Sequence, residues 1–218
     1  MPLPQDCLLC AVPCHDTLCP DCAGELPKLP PSRCPVCALP TSQGETCGRC
    51  LAGPPGFDAT LAAFRYAFPV DKLIHAFKYG HRLIAGTYFG RTLAGLTNGL
   101  CPDLLLPMPL HPERLRQRGF NQAVEIARPV ATALDMPIST DVCIRTRDTP
   151  PQADLELKER RKNLRNAFHC TQDLGGRRVL LVDDVMTTGT SADECARILK
   201  LHGAAHVTVM VVARALPR

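Results

Sequence analysis

The sequence contains no tryptophan and few other aromatic residues, with 3 tyrosines and 7 phenylalanines among 218 residues. Residues 1–56 contain none of the three, so this stretch lacks the aromatic platform on which single-stranded nucleic acid stacks. No apolar run approaches the roughly 18 residues of a membrane-spanning helix. Residues 1–6 also lack the basic and apolar regions of a signal peptide. We therefore expect a cytoplasmic protein with no membrane insertion.

The formal net charge of +4 treats every cysteine as neutral. Eight thiolates bound to two zinc ions would contribute about −8 and +4, which brings the total to about zero. Residues 1–56 hold three Lys or Arg against five Asp or Glu, whereas residues 57–218 hold 22 against 16. Overall basicity is therefore weak evidence for a nucleic-acid partner, and the excess positive charge lies in the second part of the chain.

The composition changes near residue 56. Nine of the 13 cysteines and 11 of the 21 prolines precede this point, and such a proline density excludes long helices there. The Gly-Pro-Pro-Gly run at 53–56 is typical of a linker. The sequence therefore predicts a small cysteine-rich module over residues 1–56 and a larger domain over residues 57–218.

The cysteine-rich module contains four Cys-x-x-Cys pairs, each of which can place two thiolates on one metal ion. Two pairs complete a tetrahedral site with no open position, which indicates two structural zinc ions. The predicted zinc ligands are Cys7, Cys10, Cys19, Cys22, Cys34, Cys37, Cys47 and Cys50. Sequential pairing of the pairs is the simplest arrangement, and crossed pairing remains open. Cys14 is predicted to be a spare thiol.

The larger domain has regular apolar patterns that predict an α/β fold. A strand or hairpin is expected at 57–68, short strands at 104–107, 178–182 and 206–213, and helices at 70–78, 83–96, 121–134 and 190–201. The last strand, helix and strand form one βαβ unit. Since such units join parallel strands, we expect a parallel central sheet.

The segment 179–191 has the composition of a phosphate-binding loop. An apolar strand delivers Asp183 and Asp184 to a turn of small residues, behind which a helix begins. The turn consists of Thr187, Thr188, Gly189, Thr190 and Ser191. Backbone N–H groups and the helix N-terminus suit one phosphate monoester, whereas the two carboxylates suit ribose hydroxyls or Mg²⁺. An ordinary strand–turn–helix gives no reason for this acid pair.

This segment resembles the signature of the type I phosphoribosyltransferases, which bind phosphoribosyl pyrophosphate (PRPP) together with Mg²⁺. The resemblance implies that Asp183 and Asp184 hold the ribose hydroxyls and act as catalytic residues, while the turn binds the 5′-phosphate. Purine-salvage members carry an acid in the turn where this chain has Thr187. The sequence therefore argues against a purine-salvage role and does not indicate the acceptor.

The segment 107–122 places Arg114, Arg116 and Arg118 beside Gly119 and before a helix cap at Asn121. Several guanidinium groups near a helix start suit a diphosphate, although a solvated basic turn is the alternative. The segment resembles the arginine-rich Gly-Phe-Asn-Gln region of the ComF family.

Two further segments are similar to ComF sequences. The charged stretch 145–168 lies where phosphoribosyltransferases have a flexible loop that closes over the substrate. This similarity implies binding roles for Arg145, Arg147, Gln152, Arg161 and Asn163, of which Arg147 is the main substrate-binding candidate. A charged surface loop is the alternative. In the segment 77–82, Lys78 and Tyr79 either border the site or lie on a helix face.

The resemblance to the ComF family covers nearly the whole chain. It implies a type I phosphoribosyltransferase fold behind a double zinc ribbon, with a role in DNA uptake during natural transformation. One hypothesis is a Mg²⁺-dependent transferase that releases pyrophosphate. The other is a non-catalytic module that binds PRPP or a nucleotide and acts through single-stranded DNA or DNA-uptake proteins. Any single-stranded DNA would then contact the arginines at 114–118 or the basic stretch 158–165.

Overall fold

The computed structural model describes residues 5–80, 82–148 and 166–217. Its strands are β1 (Gln5–Asp6), β2 (Pro13–Cys14), β3 (Ala59–Arg65), β4 (Leu104–Pro107), β5 (Cys143–Arg145), β6 (Phe168–Cys170), β7 (Arg178–Met186) and β8 (His206–Arg214). Its helices are α1 (Pro20–Gly24), α2 (Gly48–Ala52), α3 (Val70–Tyr79), α4 (Leu83–Ala94), α5 (Pro112–Arg118), α6 (Gln122–Leu134) and α7 (Thr190–Leu201). None of the helices in these ranges is long and apolar enough to cross a bilayer.

Four strands form the central sheet in the order β3-β8-β7-β4, and all neighbouring pairs are parallel. The unit β7–α7–β8 confirms the predicted βαβ arrangement. Two short antiparallel pairs, β1 with β2 and β5 with β6, lie outside this sheet. The β5–β6 pair flanks the segment 146–167, which includes the residues of the predicted closing loop that lie outside the described ranges.

Residues 59–65 form one strand that pairs with β8, which confirms the strand alternative of the predicted strand or hairpin. The structure differs from the sequence prediction in two elements. Strand β7 continues to Met186 because its last residues still pair with β8. The arginine-rich segment is helix α5, which has His111 as its N-cap and ends at the left-handed Gly119, with φ +80°.

The alternating side chains of the sheet build two cores. On one face, Val179 and Leu181 pack with residues of α7 and with Cys34, Cys37 and Cys50. On the other face, Leu180 and Val182 pack with α3, α4 and α6, and this core also includes Cys7 and Cys19. The two halves of the cysteine-rich module therefore lie against opposite faces of one sheet.

Backbone from the cysteine-rich module also lies along the outer edge of β3. The N–H of Thr60 donates to Pro35 O (3.1 Å), and the N–H of Arg65 donates to Pro27 O (2.8 Å). Phe64 forms an antiparallel bridge with Lys28. At the opposite edge, the N–H of Ser139 donates to Leu105 O of β4 (2.9 Å). Both edges of the four-stranded sheet therefore have covering segments.

Candidate functional site

The predicted phosphate loop follows β7 directly and turns into α7 at Gly189. Gly189 has φ +83°, a left-handed conformation that glycine adopts at the lowest cost, and it is the N-cap of the helix. The hydroxyls of Thr188 and Thr190 are hydrogen-bonded to each other at 2.7 Å. A cavity of about 40 Å³ is lined by Asp183 and by the turn. This end of α7 therefore provides a compact pocket for an anion.

The two acids of β7 point toward different faces of the sheet because side chains alternate along a strand. Asp184 is 4% exposed, and its Oδ2 lies 2.8 Å from Lys78 Nζ, at the end of α3. The same oxygen has no hydrogen-bond partner of suitable geometry among the described residues. Burial acts to lower the pKa of Lys78, but the charge of Asp184 outweighs it and raises that pKa. Lys78 therefore borders the acid pair and is a charged partner of Asp184.

Asp183 is in a different electrostatic environment. Its Oδ1 accepts a hydrogen bond from the N–H of Asp184 at 2.8 Å. Burial and the adjacent charge of Asp184 raise the pKa of Asp183 from 3.8 to about 7, although Lys78 and Arg145 oppose the shift. Near neutral pH, this carboxyl group can therefore gain or lose a proton.

This raised pKa predicts a pH dependence of stability. The unfolded chain loses the Asp183 proton near pH 3.8, whereas the folded chain keeps it to about pH 7. The free energy of unfolding should therefore fall as pH rises through this window, by up to about 1.4 kcal/mol per pH unit. Urea unfolding between pH 4 and 8 gives the free energy of unfolding of wild type and of Asp183→Asn at each pH. The difference between the two proteins isolates Asp183, because the contributions of the other titrating groups cancel. Parallel pH profiles for the two proteins would contradict the prediction.

The arginines of α5 occupy different environments. Arg118 lies over the Tyr79 ring at 5.3 Å and is close enough to Lys78 for its charge to oppose the raised pKa of that lysine. Arg114 Nε donates to Asp148 Oδ1 at 3.2 Å. Arg116 is ion-paired with Glu113 of its own helix. Arg118 is therefore the α5 arginine that the structure brings toward the acid pair.

The predicted closing loop is described only at its two ends. Arg145 on β5 lies close enough to Asp183 for each charge to affect the pKa of the other group. Arg147 is exposed, and its carbonyl accepts a hydrogen bond from Arg145 Nε at 3.4 Å. The predicted residues Gln152, Arg161 and Asn163 lie outside the described residues.

Sequence reasoning did not identify Arg214, the last residue of β8. It is 1% exposed, and its Nε donates to Cys37 O at 2.8 Å. Its Nη1 donates to three further carbonyls, those of Met186 (2.9 Å), Thr187 and Ala215 (2.9 Å). Arg49 makes a similar contact, from Nη2 to Thr188 O at 3.0 Å. In the sequence, Arg214 is recognisable only as a charged residue at the end of the mainly apolar run 206–214.

The cysteines form two groups, and sequential pairing is confirmed. The first cysteine group is Cys7, Cys10, Cys19 and Cys22, and the second cysteine group is Cys34, Cys37, Cys47 and Cys50. Within each group the Sγ atoms all lie within 4.8 Å of one another. Cys14 is outside both groups, and its Sγ donates to Asp16 O at 2.9 Å.

In each cysteine group, the environment of one thiol favours the thiolate form. Burial alone raises the pKa of Cys7, but N–H groups such as that of Cys19, 3.3 Å from the sulfur, lower it to about 6. For Cys34, burial likewise raises the pKa and backbone hydrogen bonds lower it, with a result of about 7. Thiolates are the form that binds zinc, and four of them fit tetrahedral structural zinc. The two groups are therefore consistent with two structural zinc ions.

Family models match both parts of the chain. The double zinc ribbon domain matches residues 1–51, and the phosphoribosyl transferase domain matches residues 121–216. The chain is therefore a protein that joins a double zinc ribbon to a phosphoribosyltransferase-type domain.

Relatives extend over nearly the whole length. The chain is 35% identical to DNA utilization protein YhgH of Escherichia coli O157:H7, over 98% of this chain and 99% of that protein. It is 32% identical to Competence protein F of Haemophilus influenzae, over 91% and 90% of the two chains. It is 26% identical to Competence protein ComFC of Bacillus subtilis, over 87% and 80%. The chain belongs to the ComF family.

Two solved structures match this chain at low similarity. Glutamine PRPP amidotransferase from B. subtilis, complexed with ADP and GMP, is 20% identical with a TM-score of 0.41. The match covers 58% of this chain and 25% of that one, so the chain spans about a quarter of the amidotransferase. Purine phosphoribosyltransferase from Pyrococcus horikoshii is 15% identical with a TM-score of 0.33, over 71% and 87% of the two chains.

Proposed function

We propose that the chain binds PRPP with Mg²⁺ at the carboxyl end of β7 and transfers its phosphoribosyl group. The observation that supports this most directly is the continuity of Asp183, Asp184 and the Gly189 turn with the N-terminus of α7. Ligands of open parallel sheets bind at the carboxyl ends of strands. The turn, from Thr187 to Ser191, would hold the 5′-phosphate through N–H and hydroxyl groups. The acid pair would accept hydrogen bonds from the ribose hydroxyls.

The residues present fit a magnesium ion. Asp184 Oδ2 is a buried carboxylate oxygen without a hydrogen-bond partner among the described residues, and carboxylate oxygens are preferred Mg²⁺ ligands. Asp183 and Asp184 would hold the ion directly or through water, and Mg²⁺ supplies positive charge against the diphosphate. Lys78 would have to share Asp184 with the incoming ligand, because its Nζ lies 2.8 Å from that carboxylate.

The transfer itself forms one bond and breaks one. A nucleophile of the acceptor bonds to C1 of the ribose, while the C1–O bond to the diphosphate breaks and pyrophosphate leaves with the bonding electrons. Arg118 and Arg145 would stabilise the charge of the leaving group, since both lie close to the charged cluster around the acid pair. Arg114 and Arg147 would join them on the diphosphate. Arg116, paired with Glu113, would contribute least.

The biological process follows from the relatives. Their names refer to DNA utilization and competence, and we propose that this chain serves the same process. We also propose that the boundary between the cysteine-rich module and the phosphoribosyltransferase-type domain lies near residue 56, at the Gly-Pro-Pro-Gly run. The cytoplasm is the compartment in which we propose that the protein acts.

A second candidate function is non-catalytic binding of PRPP, with α5 as a contact for single-stranded DNA. The side chain of Arg116 is 72% exposed, and α5 carries three arginines against one glutamate, which gives a basic surface beside the site. Assay of pyrophosphate release with a panel of nucleophilic acceptors distinguishes the two functions. Turnover supports the transferase, whereas PRPP binding with no release for any acceptor supports the non-catalytic module.

Calorimetric titration with PRPP, with and without Mg²⁺, tests the proposed site. The double variant Asp183→Asn/Asp184→Asn should bind at least about 100-fold more weakly, because two carboxyl groups that can ionise are replaced by neutral amides, which hold ribose hydroxyls and Mg²⁺ less strongly. Asp141→Asn, which changes an exposed carboxylate on the surface, is the matched control and should bind as wild type does. Failure of the wild-type protein to bind PRPP, or equal affinity in the double variant, would overturn the proposal.

A further inference from the structure

We propose that Arg214 is the positioning residue of the phosphate turn and that, through it, the second cysteine group is a structural part of the ligand site. This inference deepens the proposed function and, for its effect on affinity, rests on it. Arg214 donates from one buried guanidinium to Cys37 O in the second cysteine group and to Met186 O and Thr187 O at the start of the turn. Cys37 is itself a candidate zinc ligand.

The carbonyls of the turn accept hydrogen bonds from two arginines on the side of the turn that faces the cysteine-rich module. Arg214 donates to Met186 O and Thr187 O. Arg49, which lies inside the Cys47–Cys50 pair, donates to Thr188 O. In a planar trans peptide, the C=O of one residue and the N–H of the next point in opposite directions. Fixing these three carbonyls toward the module therefore directs the N–H groups of Thr187, Thr188 and Gly189 away from it.

These three N–H groups remain available for a ligand. No described residue accepts a hydrogen bond from any of them, and all three residues line the cavity at the N-terminus of α7. Backbone N–H groups that converge on one cavity form an anion site. The two arginines therefore act on the far side of the peptide planes from the ligand, and neither needs to touch the phosphate.

The second cysteine group also provides the counter-charge for Arg214. A guanidinium that is 1% exposed needs compensating charge, and no carboxylate forms an ion pair with it among the described residues. A zinc ion bound by four thiolates carries a net charge of about −2. Metal-bound thiolates at Cys37 and Cys50 would therefore stabilise the charged guanidinium of Arg214, which in turn donates hydrogen bonds to the turn.

The module also contacts α7 closely behind the turn. The N–H of Gly56 donates to Asp193 Oδ1 at 2.7 Å. A Cβ at Gly56 would lie 2.7 Å from Arg197 N, so only glycine permits this approach. The first cysteine group has a different environment, since Cys7 and Cys19 pack on the opposite face of the sheet with Phe64, Val70 and Phe77. The two groups should therefore differ in their effect on the site.

Hydrogen–deuterium exchange of the two hydrogen-bonded amides that flank the turn, in the ligand-free protein, tests this inference beside PRPP titration. The N–H of Asp193 donates to Gly189 O (2.8 Å) and that of Ala215 donates to Met186 O (2.9 Å). Arg214→Met should speed exchange of these flanking amides at least about tenfold and weaken PRPP binding about 30-fold, because several hydrogen bonds that hold the turn are lost. Arg214→Lys keeps the positive charge but has fewer hydrogen-bond donors, so it should restore part of the exchange protection and part of the PRPP affinity. Arg178→Met, at the opposite end of β7 in an exposed ion pair with Asp103, is the control and should leave the turn unchanged.

Further variants keep the test decisive if Arg214→Met fails to fold. Arg49→Met changes an exposed side chain and should still loosen the turn and weaken binding, by about fivefold. Cys47→Ser should speed exchange of the two flanking amides, whereas Cys10→Ser in the first cysteine group should not. Unchanged exchange in Arg49→Met and Cys47→Ser overturns the inference. Faster exchange in these variants, with no PRPP binding by wild type, upholds the positioning role and overturns only the proposed ligand.

Discussion

Replacement of Cys34 by serine is expected to lower the zinc content from two ions to one and to destabilise the protein by more than about 4 kcal/mol. Cys34 is 0% exposed and belongs to the second cysteine group. Its sulfur lies within 4.8 Å of the other three, so its loss opens a closed tetrahedral site. Small metal-bound modules obtain much of their folding free energy from the metal, and a three-ligand site binds it far less tightly.

Cys14→Ser is the matched control for this variant. Cys14 lies in the same module but outside both cysteine groups, and its thiol makes one hydrogen bond, to Asp16 O. Metal analysis by mass spectrometry, with thermal unfolding, should give two zinc ions and an unchanged midpoint for this control. Two zinc ions and wild-type stability in Cys34→Ser would show that the second cysteine group is not a zinc site.

The second large effect is expected at Gly90, where valine should destabilise the protein by about 3 kcal/mol, or roughly 6–12 °C in melting temperature. Gly90 lies on α4 at its crossing with α6. A Cβ there would lie 2.5 Å from Ile126 O and 2.7 Å from Pro129 Cδ, and neither the backbone oxygen nor the proline ring can turn away. The helices must therefore separate, which disrupts the core on this face of the sheet.

Gly53→Ala provides the comparison for Gly90→Val. An added methyl group at Gly53 meets nothing within 4 Å, and the residue has an extended φ of −152°, which alanine adopts. Its melting temperature should stay within about 1–2 °C of wild type, as for most surface substitutions. Equal melting temperatures for Gly90→Val and wild type would mean that α4 and α6 are not in close contact.

Much of this fold could be predicted from local patterns. Strand Leu104–Pro107 and helix Thr190–Leu201 have the predicted bounds, because a short apolar run and a clear helical period are local signals. Helix α5 could not be predicted in this way, since its seven residues are almost all polar and bury no side chain. The single strand at 59–65 depends on pairing with β8, which lies far away in the sequence.

The candidate site shows the same division. The acid pair, the glycine turn and the helix behind it are consecutive in the sequence, so their proximity could be predicted; the roles assigned to them remain predictions. Lys78 and Arg145 come near the acids only through packing of α3 and of β5. Arg214 could not be predicted because its partners, Cys37 and Met186, lie in segments far from it in sequence.

The segments that lie along β3 have a consequence for solubility. The N–H of Thr60 donates to Pro35 O, inside the Cys34–Cys37 pair, and the N–H of Arg65 donates to Pro27 O, which precedes that pair. An uncovered edge strand offers its free N–H and C=O groups to other chains and promotes aggregation. The cysteine-rich module thus covers a sheet edge. If zinc holds the module in this position, removal of zinc is expected to expose the edge and to lower the solubility of the protein.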